Sequence, residues 1–193
     1  MTTPDSNKVK PTPLDSRQKM ALNLEAIDKV KKNHTAASTT PEMNADRQDI
    51  IKLLNDSLAT ELVCVLRYKR HHFTASGLAS PKIAEEFLVH ANEEAGHADR
   101  IARRIVQLGG SPDFSPDSLM GRSHAAYDES TDLKSMIQAN LTAELVAIEA
   151  YGQMVGLIGD KDISTRRLIE DILSDEQNHA DELKSWLNNK ILS

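Results

Sequence analysis

The chain has one cysteine, Cys64, in 193 residues. A disulfide framework within the chain is thereby excluded, as is any cysteine-rich zinc or iron–sulfur site. Aromatic residues make up only 4%, beside 8 glycines and 7 prolines, while hydrophobic residues reach 39%. The apolar content is therefore mostly Leu, Ile, Val and Ala, and no alternating strand pattern competes with helical spacing. No charged-then-apolar leader opens the chain, and no apolar run approaches the ~20 residues of a membrane helix. A cytoplasmic protein with no membrane partner is expected. The formal charge of −6 argues against a broadly nucleic-acid-binding surface. That charge is uneven: residues 1–45 carry seven Lys or Arg against five acids, a balance of +2, which leaves −8 for the rest.

The length suits one domain, or one domain with an arm. Pro4, Pro11 and Pro13 among polar residues mark residues 1–44 as an N-terminal arm, in which Leu14 to Lys32 has the thin stripe of a helix. From residue 45 to 193 the pattern is helical throughout. A first helix is expected from a cap at Asn44 to Gly77, and a second from Ser80-Pro81 to Gly109-Gly110. Residues 111–130 hold Pro112, Pro116 and Gly121 and form a long connection, with short helical turns expected from Ser118 to Tyr127. A third helix should run from Thr131 to Gly156–Gly159, and a fourth from Asp162 to Asn189. Short, long and short connections between four long helices predict an all-α four-helix bundle with one long crossover.

Two stretches read almost alike. Leu58-Ala59-Thr60-Glu61-Leu62-Val63 returns as Leu141-Thr142-Ala143-Glu144-Leu145-Val146, and Glu94-Ala95-Gly96-His97-Ala98-Asp99 returns as Glu176-Gln177-Asn178-His179-Ala180-Asp181. Glu61 and Glu144 are 83 positions apart, Glu94 and Glu176 are 82 apart. A duplicated helix pair explains the matched step. On a helix, Glu94 and His97 lie one turn apart on one face, as do Glu176 and His179. Glu61 and Glu144 sit in Leu- and Val-rich surroundings, where a carboxylate is costly unless it is paired or bound to metal. Four carboxylates would neutralise two divalent ions, and a donor set of oxygen and imidazole nitrogen without thiolate suits iron or manganese better than structural zinc.

These segments resemble the ferritin-like superfamily, in particular bacterioferritin and the Dps-like miniferritins with a bacterioferritin-type di-iron site. The resemblance runs from about Asp46 to Leu192 and includes all six ligand positions. It implies that Glu94 and Glu176 bridge two iron ions, with Glu61 and His97 completing one and Glu144 and His179 the other; manganese or zinc could substitute. Tyr68 matches a tyrosine placed near the bacterioferritin centre, as a hydrogen-bond or electron donor or as a core tyrosine; Tyr151, at the repeat-related place, ranks below it. Bacterioferritin binds haem through a methionine where this chain has Ala95, so haem of that type is not expected.

The activity implied is a ferroxidase that oxidises Fe2+ with O2 or H2O2 and stores the ferric product in a homo-oligomeric cage, a defence against oxidative stress. Only 14 residues follow His179, which favours 12 subunits over 24. Two other functions stay open: a Dps-type DNA-protecting protein tethered by the arm, against which the interrupting acids weigh, and a di-iron oxidase of another substrate, which would need an apolar channel to the metals. Cys64 is expected to pack as a small apolar residue, because no cation is fixed beside it in sequence.

Overall fold

The computed structural model describes residues 46–77 and 80–188. The expected arm, its helix and the Asn44 cap lie outside these residues. Five helices occur among the described residues: α1 (Arg47–Thr74), α2 (Ser80–Gln107), α3 (Pro116–Arg122), α4 (Leu133–Ile158) and α5 (Ile163–Asn188). No strand accompanies them among the described residues. The bundle is thus all-α, as its periodicity requires. Cross-helix pairs give its directions. Arg67 with Asn140 and Tyr151 with Glu61 set α1 antiparallel to α4, while His90 with Glu182 and Arg104 with Thr165 set α2 antiparallel to α5. The order is up-down-down-up, and the connection from α2 to α4 must travel the length of the bundle.

Local chemistry sets the boundaries. Asp132 accepts from the Ser135 amide at 2.9 Å and caps α4, and Asp162 does the same for Thr165 at the start of α5. Gly109, at φ 78°, closes α2 in a conformation that favours glycine. Gly110 is needed for a different reason: a Cβ there would lie 2.8 Å from Ile51 Cγ2. The short helix in the connection forms around Pro116, slightly earlier than its expected place.

The crossover is fastened to α1 by side chains, which satisfies backbone that would otherwise be stranded. Asn55 Oδ1 accepts from the Asp113 amide, Arg122 donates to the Asn55 carbonyl, and Thr60 Oγ1 accepts from the His124 amide. Further along, Arg67 donates to the Ala126 carbonyl and His71 pairs with Asp128 at 3.1 Å. Ala125 is thereby laid over Cys64 and Ala143.

Two apolar clusters occupy the two ends of the bundle. One contains Leu54, Leu58, Ile101, Ile105, Ile158, Ile169 and Ile172; the other contains Phe87, Ala91, Met136, Ile137 and Leu183. The polar residues described next sit between them. One sequence expectation is corrected here. α4 is long and apolar enough, by length and composition, to cross a membrane, with a mean hydropathy of 1.3. The helix packs against α5 and α1 with Asn140 and Glu144 buried, and a third of its most apolar stretch is buried within the chain.

Candidate metal centre

Helical spacing delivers the six ligand candidates to one level of the bundle. α1 contributes Glu61, α2 contributes Glu94 and His97, α4 contributes Glu144, and α5 contributes Glu176 and His179. Each glutamate is 1% exposed. Ligand atoms of Glu61, Glu94, His97 and Glu176 lie within 4.8 Å of one another, and so do those of Glu94, Glu144, Glu176 and His179. The two groups share Glu94 and Glu176. His97 Nδ1 stands 3.5, 3.4 and 3.3 Å from Glu61, Glu94 and Glu176; His179 Nδ1 stands 3.4 and 3.3 Å from Glu94 and Glu176.

These separations do not amount to hydrogen bonds. Glu61 Oε2, Glu94 Oε1, both Glu176 carboxylate oxygens and the Nδ1 atoms of His97 and His179 are buried without a hydrogen-bond partner. Orphaned polar atoms of this kind are rare and costly in a folded interior. Six of them aimed at one space fit a pair of divalent cations, which oxygen and imidazole donors would coordinate together.

Electrostatics lead to the same conclusion. Burial, with the neighbouring charges of Glu94 and Glu176, raises the Glu61 and Glu144 carboxyls well above their usual range. Burial alone would also raise Glu94, but Glu61, His179 and His97 outweigh it and hold Glu94 low. Burial opposes a charged imidazole at His97 and His179, yet contacts with Glu176 and other glutamates prevail; His97 is raised strongly and His179 to about 11. Without divalent cations the cluster keeps its charge in check by retaining protons. Cation binding would expel them.

The two halves of the repeat hold each other crosswise. The Tyr68 hydroxyl donates to Glu144, and the Tyr151 hydroxyl donates to Glu61. The two tyrosines thus make matching contacts with the glutamates, while Tyr68 also meets His90. On the outer side, His97 Nε2 meets Asp175 at 3.3 Å and His179 Nε2 meets Glu93 at 2.8 Å. A carboxylate on Nε2 keeps a proton on that nitrogen, so that each Nδ1 is the one that presents a lone pair inward once cation binding has expelled its proton. Helical spacing alone does not single out Glu93 or Asp175, because a charged residue beside a buried one on a helix is ordinarily part of its solvated side. The signal was present: an acid immediately precedes the inner glutamate in both halves, Glu93-Glu94 and Asp175-Glu176.

Cys64 has a cation beside it after all, since Arg67 Nη2 lies 3.4 Å from its sulfur. Burial nevertheless raises the thiol well above its ordinary range, so it packs as an apolar residue. Access to the ligands is polar. A cavity of about 380 Å³ between α2 and α5 is bordered by His97 and His179 together with His90, Glu93, Asp175 and Glu182. A more apolar groove of about 520 Å³, near Leu53, Leu145, Val146 and Leu157, reaches none of the six ligands.

Residues 51–191 match the ferritin-like domain family. The bacterioferritin of Desulfovibrio desulfuricans is 28% identical over 142 residues, which is 71% of this chain and 75% of that protein. Among solved structures, the dodecameric thioferritin of Bacteroides fragilis, a bacterioferritin-related protein, has a TM-score of 0.72 at 29% identity and covers 74% of this chain and 86% of its own. Dps from Thermosynechococcus elongatus has a TM-score of 0.72 at 21% identity, covering 75% of this chain and 94% of its own, a likeness of fold.

Proposed function

The chain belongs to the ferritin-like domain family, and on that premise we propose that it stores and detoxifies iron as a ferroxidase. The observation that carries this reading is the pair of interlocked ligand groups sharing Glu94 and Glu176, with buried atoms that have no hydrogen-bond partner. Fe2+ is the substrate. Glu61 and His97 hold one ion, Glu144 and His179 hold the other, and Glu94 and Glu176 hold both. Each Fe2+ gives up one electron. Dioxygen takes two electrons and two protons to become hydrogen peroxide, or hydrogen peroxide takes two of each to become two waters.

The surrounding residues have separate tasks. Tyr68 and Tyr151 fix the glutamates they touch and stand where an electron or a proton could pass to the reacting pair. Glu93 and Asp175 orient the two imidazoles. The polar cavity on the α2–α5 side suits an incoming cation; the apolar groove meets no ligand, which weighs against an organic substrate oxidised at the same centre. The relative from Bacteroides fragilis is described as dodecameric. We carry over a hollow cage of 12 subunits, with the cytoplasm as its compartment, as part of the proposal.

Anaerobic Fe2+ titration of the metal-stripped protein, light scattering, and then a pulse of oxidant test this reading together. Two ions per chain at the six ligands of a hollow assembly, followed by continued iron uptake, are expected. The same two ions on a monomer or dimer without further uptake would overturn storage. Replacing Glu94 or His97 should abolish fast oxidation and leave the assembly intact.

A further inference from the structure

Arg67 on α1 has no place in the ligand pattern, yet it is 0% exposed. Its guanidinium donates to Asn140 Oδ1 at 2.7 Å, to the Ala126 carbonyl at 3.1 Å and toward the Cys64 sulfur at 3.4 Å. None of these partners is a carboxylate. Burial opposes the charge, but Cys64, Tyr68 and Glu144 outweigh it and keep the group protonated. A full positive charge therefore stands in the interior, where its field is little screened. What that field meets is an aromatic face: Arg67 Cζ lies 5.5 Å from the centre of the Tyr68 ring, within cation–π range.

The repeat-related Tyr151 has nothing of the kind. It is 1% exposed in the apolar cluster of Leu58, Ile101 and Ile172, and Arg67 with Tyr68 is the only cation–π pair among the described residues. The hydroxyls differ as well. Each donates to a glutamate, but the Tyr68 oxygen also meets His90 Nδ1 at 3.2 Å, and because the Tyr68 proton goes to Glu144 that oxygen is left to accept. A cation over a ring is held by the π electrons, and the attraction weakens when the ring gives an electron away. A hydrogen bond accepted by the phenol oxygen also draws charge from the ring. Tyr68 is thus the harder of the two tyrosines to oxidise.

We propose that Arg67 reserves Tyr68 for holding Glu144 and leaves Tyr151 as the tyrosine that gives an electron to the centre. The need arises when only one Fe2+ is bound. Hydrogen peroxide takes two electrons, and a single Fe2+ supplies one. Tyr151 supplies the other, and its proton leaves along the hydrogen bond to Glu61. That proton and one from solvent complete the reduction: the O–O bond breaks, two waters form, and Fe3+ and a neutral phenoxyl radical on Tyr151 remain. With two Fe2+ bound, both electrons come from iron, and the tyrosines act only through their glutamates. The inference rests on the iron-oxidising reading, and it makes Arg67 a positioning residue that acts through Tyr68.

The test uses the full-length assembled protein, stripped by chelator, loaded without oxygen with one Fe2+ per chain, mixed with hydrogen peroxide and frozen for electron paramagnetic resonance. A tyrosyl signal is expected in the wild type, kept in Tyr68→Phe and reduced at least ~10-fold in Tyr151→Phe, a ratio within the strength of a desolvated cation–π contact. Adding Arg67→Gln to Tyr151→Phe should restore a signal, now on Tyr68, whereas adding Arg67→Lys, which keeps the cation, should restore none. Should Arg67→Gln fail to fold, the two Phe variants decide the matter by themselves. Fe3+ formed with the signal lost in Tyr68→Phe, equal in both Phe variants, or absent from the wild type would overturn the inference while iron oxidation stands. Fe2+ left unoxidised by peroxide would overturn the iron-oxidising reading, and this inference with it.

Discussion

Replacing Glu61 with glutamine should change stability in opposite directions with and without metal. In the metal-stripped protein Glu61 Oε2 is buried with no hydrogen-bond partner, and the carboxyl is pushed up by burial and by Glu94 and Glu176. The amide of Glu61→Gln keeps an oxygen for the Tyr151 hydroxyl and offers N–H donors toward those carboxylates. Relieving one unsatisfied buried group is worth about 1–3 kcal/mol, or a rise of roughly 2–12 °C in the melting temperature of a chain this size. The sign can be checked with pH. A carboxyl whose folded pKa lies above its unfolded value stabilises the fold below the unfolded pKa, and that stability is lost as pH rises through the folded pKa. The advantage of Glu61→Gln should therefore be larger at pH 8 than at pH 5. With Zn2+ the order should reverse: the wild type gains about 2.7 kcal/mol at a free ion concentration of 100 Kd, and the variant, short of one ligand, gains less. Thermal melts of stripped and Zn2+-loaded proteins at both pH values decide the matter. A variant less stable than wild type without metal, or an equal gain with Zn2+ in both, would refute the idea that this cluster is strained until cations fill it.

Asp162→Ala should cost about 3–5 kcal/mol in urea denaturation, because Arg104 would be left charged and 9% exposed without its partner; Asp162→Asn, which keeps the cap on Thr165, should cost less. Burial holds the His71 imidazole below its ordinary pKa, against Asp128, which raises it. The unfolded chain then takes up the proton first, so stability should decline as pH falls below about 6.5, and His71→Gln should flatten that slope in denaturation midpoints measured at pH 7.5 and 5.5. Tyr68→Phe and Tyr151→Phe should each slow oxidation by roughly 10-fold, about 1.4 kcal/mol of barrier, with Fe2+ stoichiometry retained; stopped-flow traces in which only one of the two matters would refute equal roles for their glutamate contacts.

Much of the fold is local and so was readable along the chain. Helical spacing from Ile50 to Tyr68, the capping chemistry at Asp162, and the glycines after α2 and α4 depend on neighbours within a turn or two, and periodicity exposes them. The ligand candidates Glu61, Glu94, His97, Glu144, Glu176 and His179 stood out because duplication printed the same spacing twice. Asp175 and Glu93 were legible by the same route, as acids repeated before each inner glutamate, but a charged residue on a helix surface reads as a solvated face until its partner is known.

The sequence by itself determined the helices, their order, and which side chains share a face, because 3.6 residues per turn converts spacing into direction. Tertiary structure alone decided which face meets which. Tyr68 reaches Glu144 and Tyr151 reaches Glu61 across the bundle, His97 is oriented by Asp175 from α5, and His90 on α2 meets Glu182 on α5. These pairs are separated by 76 to 92 residues. No local propensity links them; only the antiparallel packing of α1 on α4 and of α2 on α5 brings them within hydrogen-bond range.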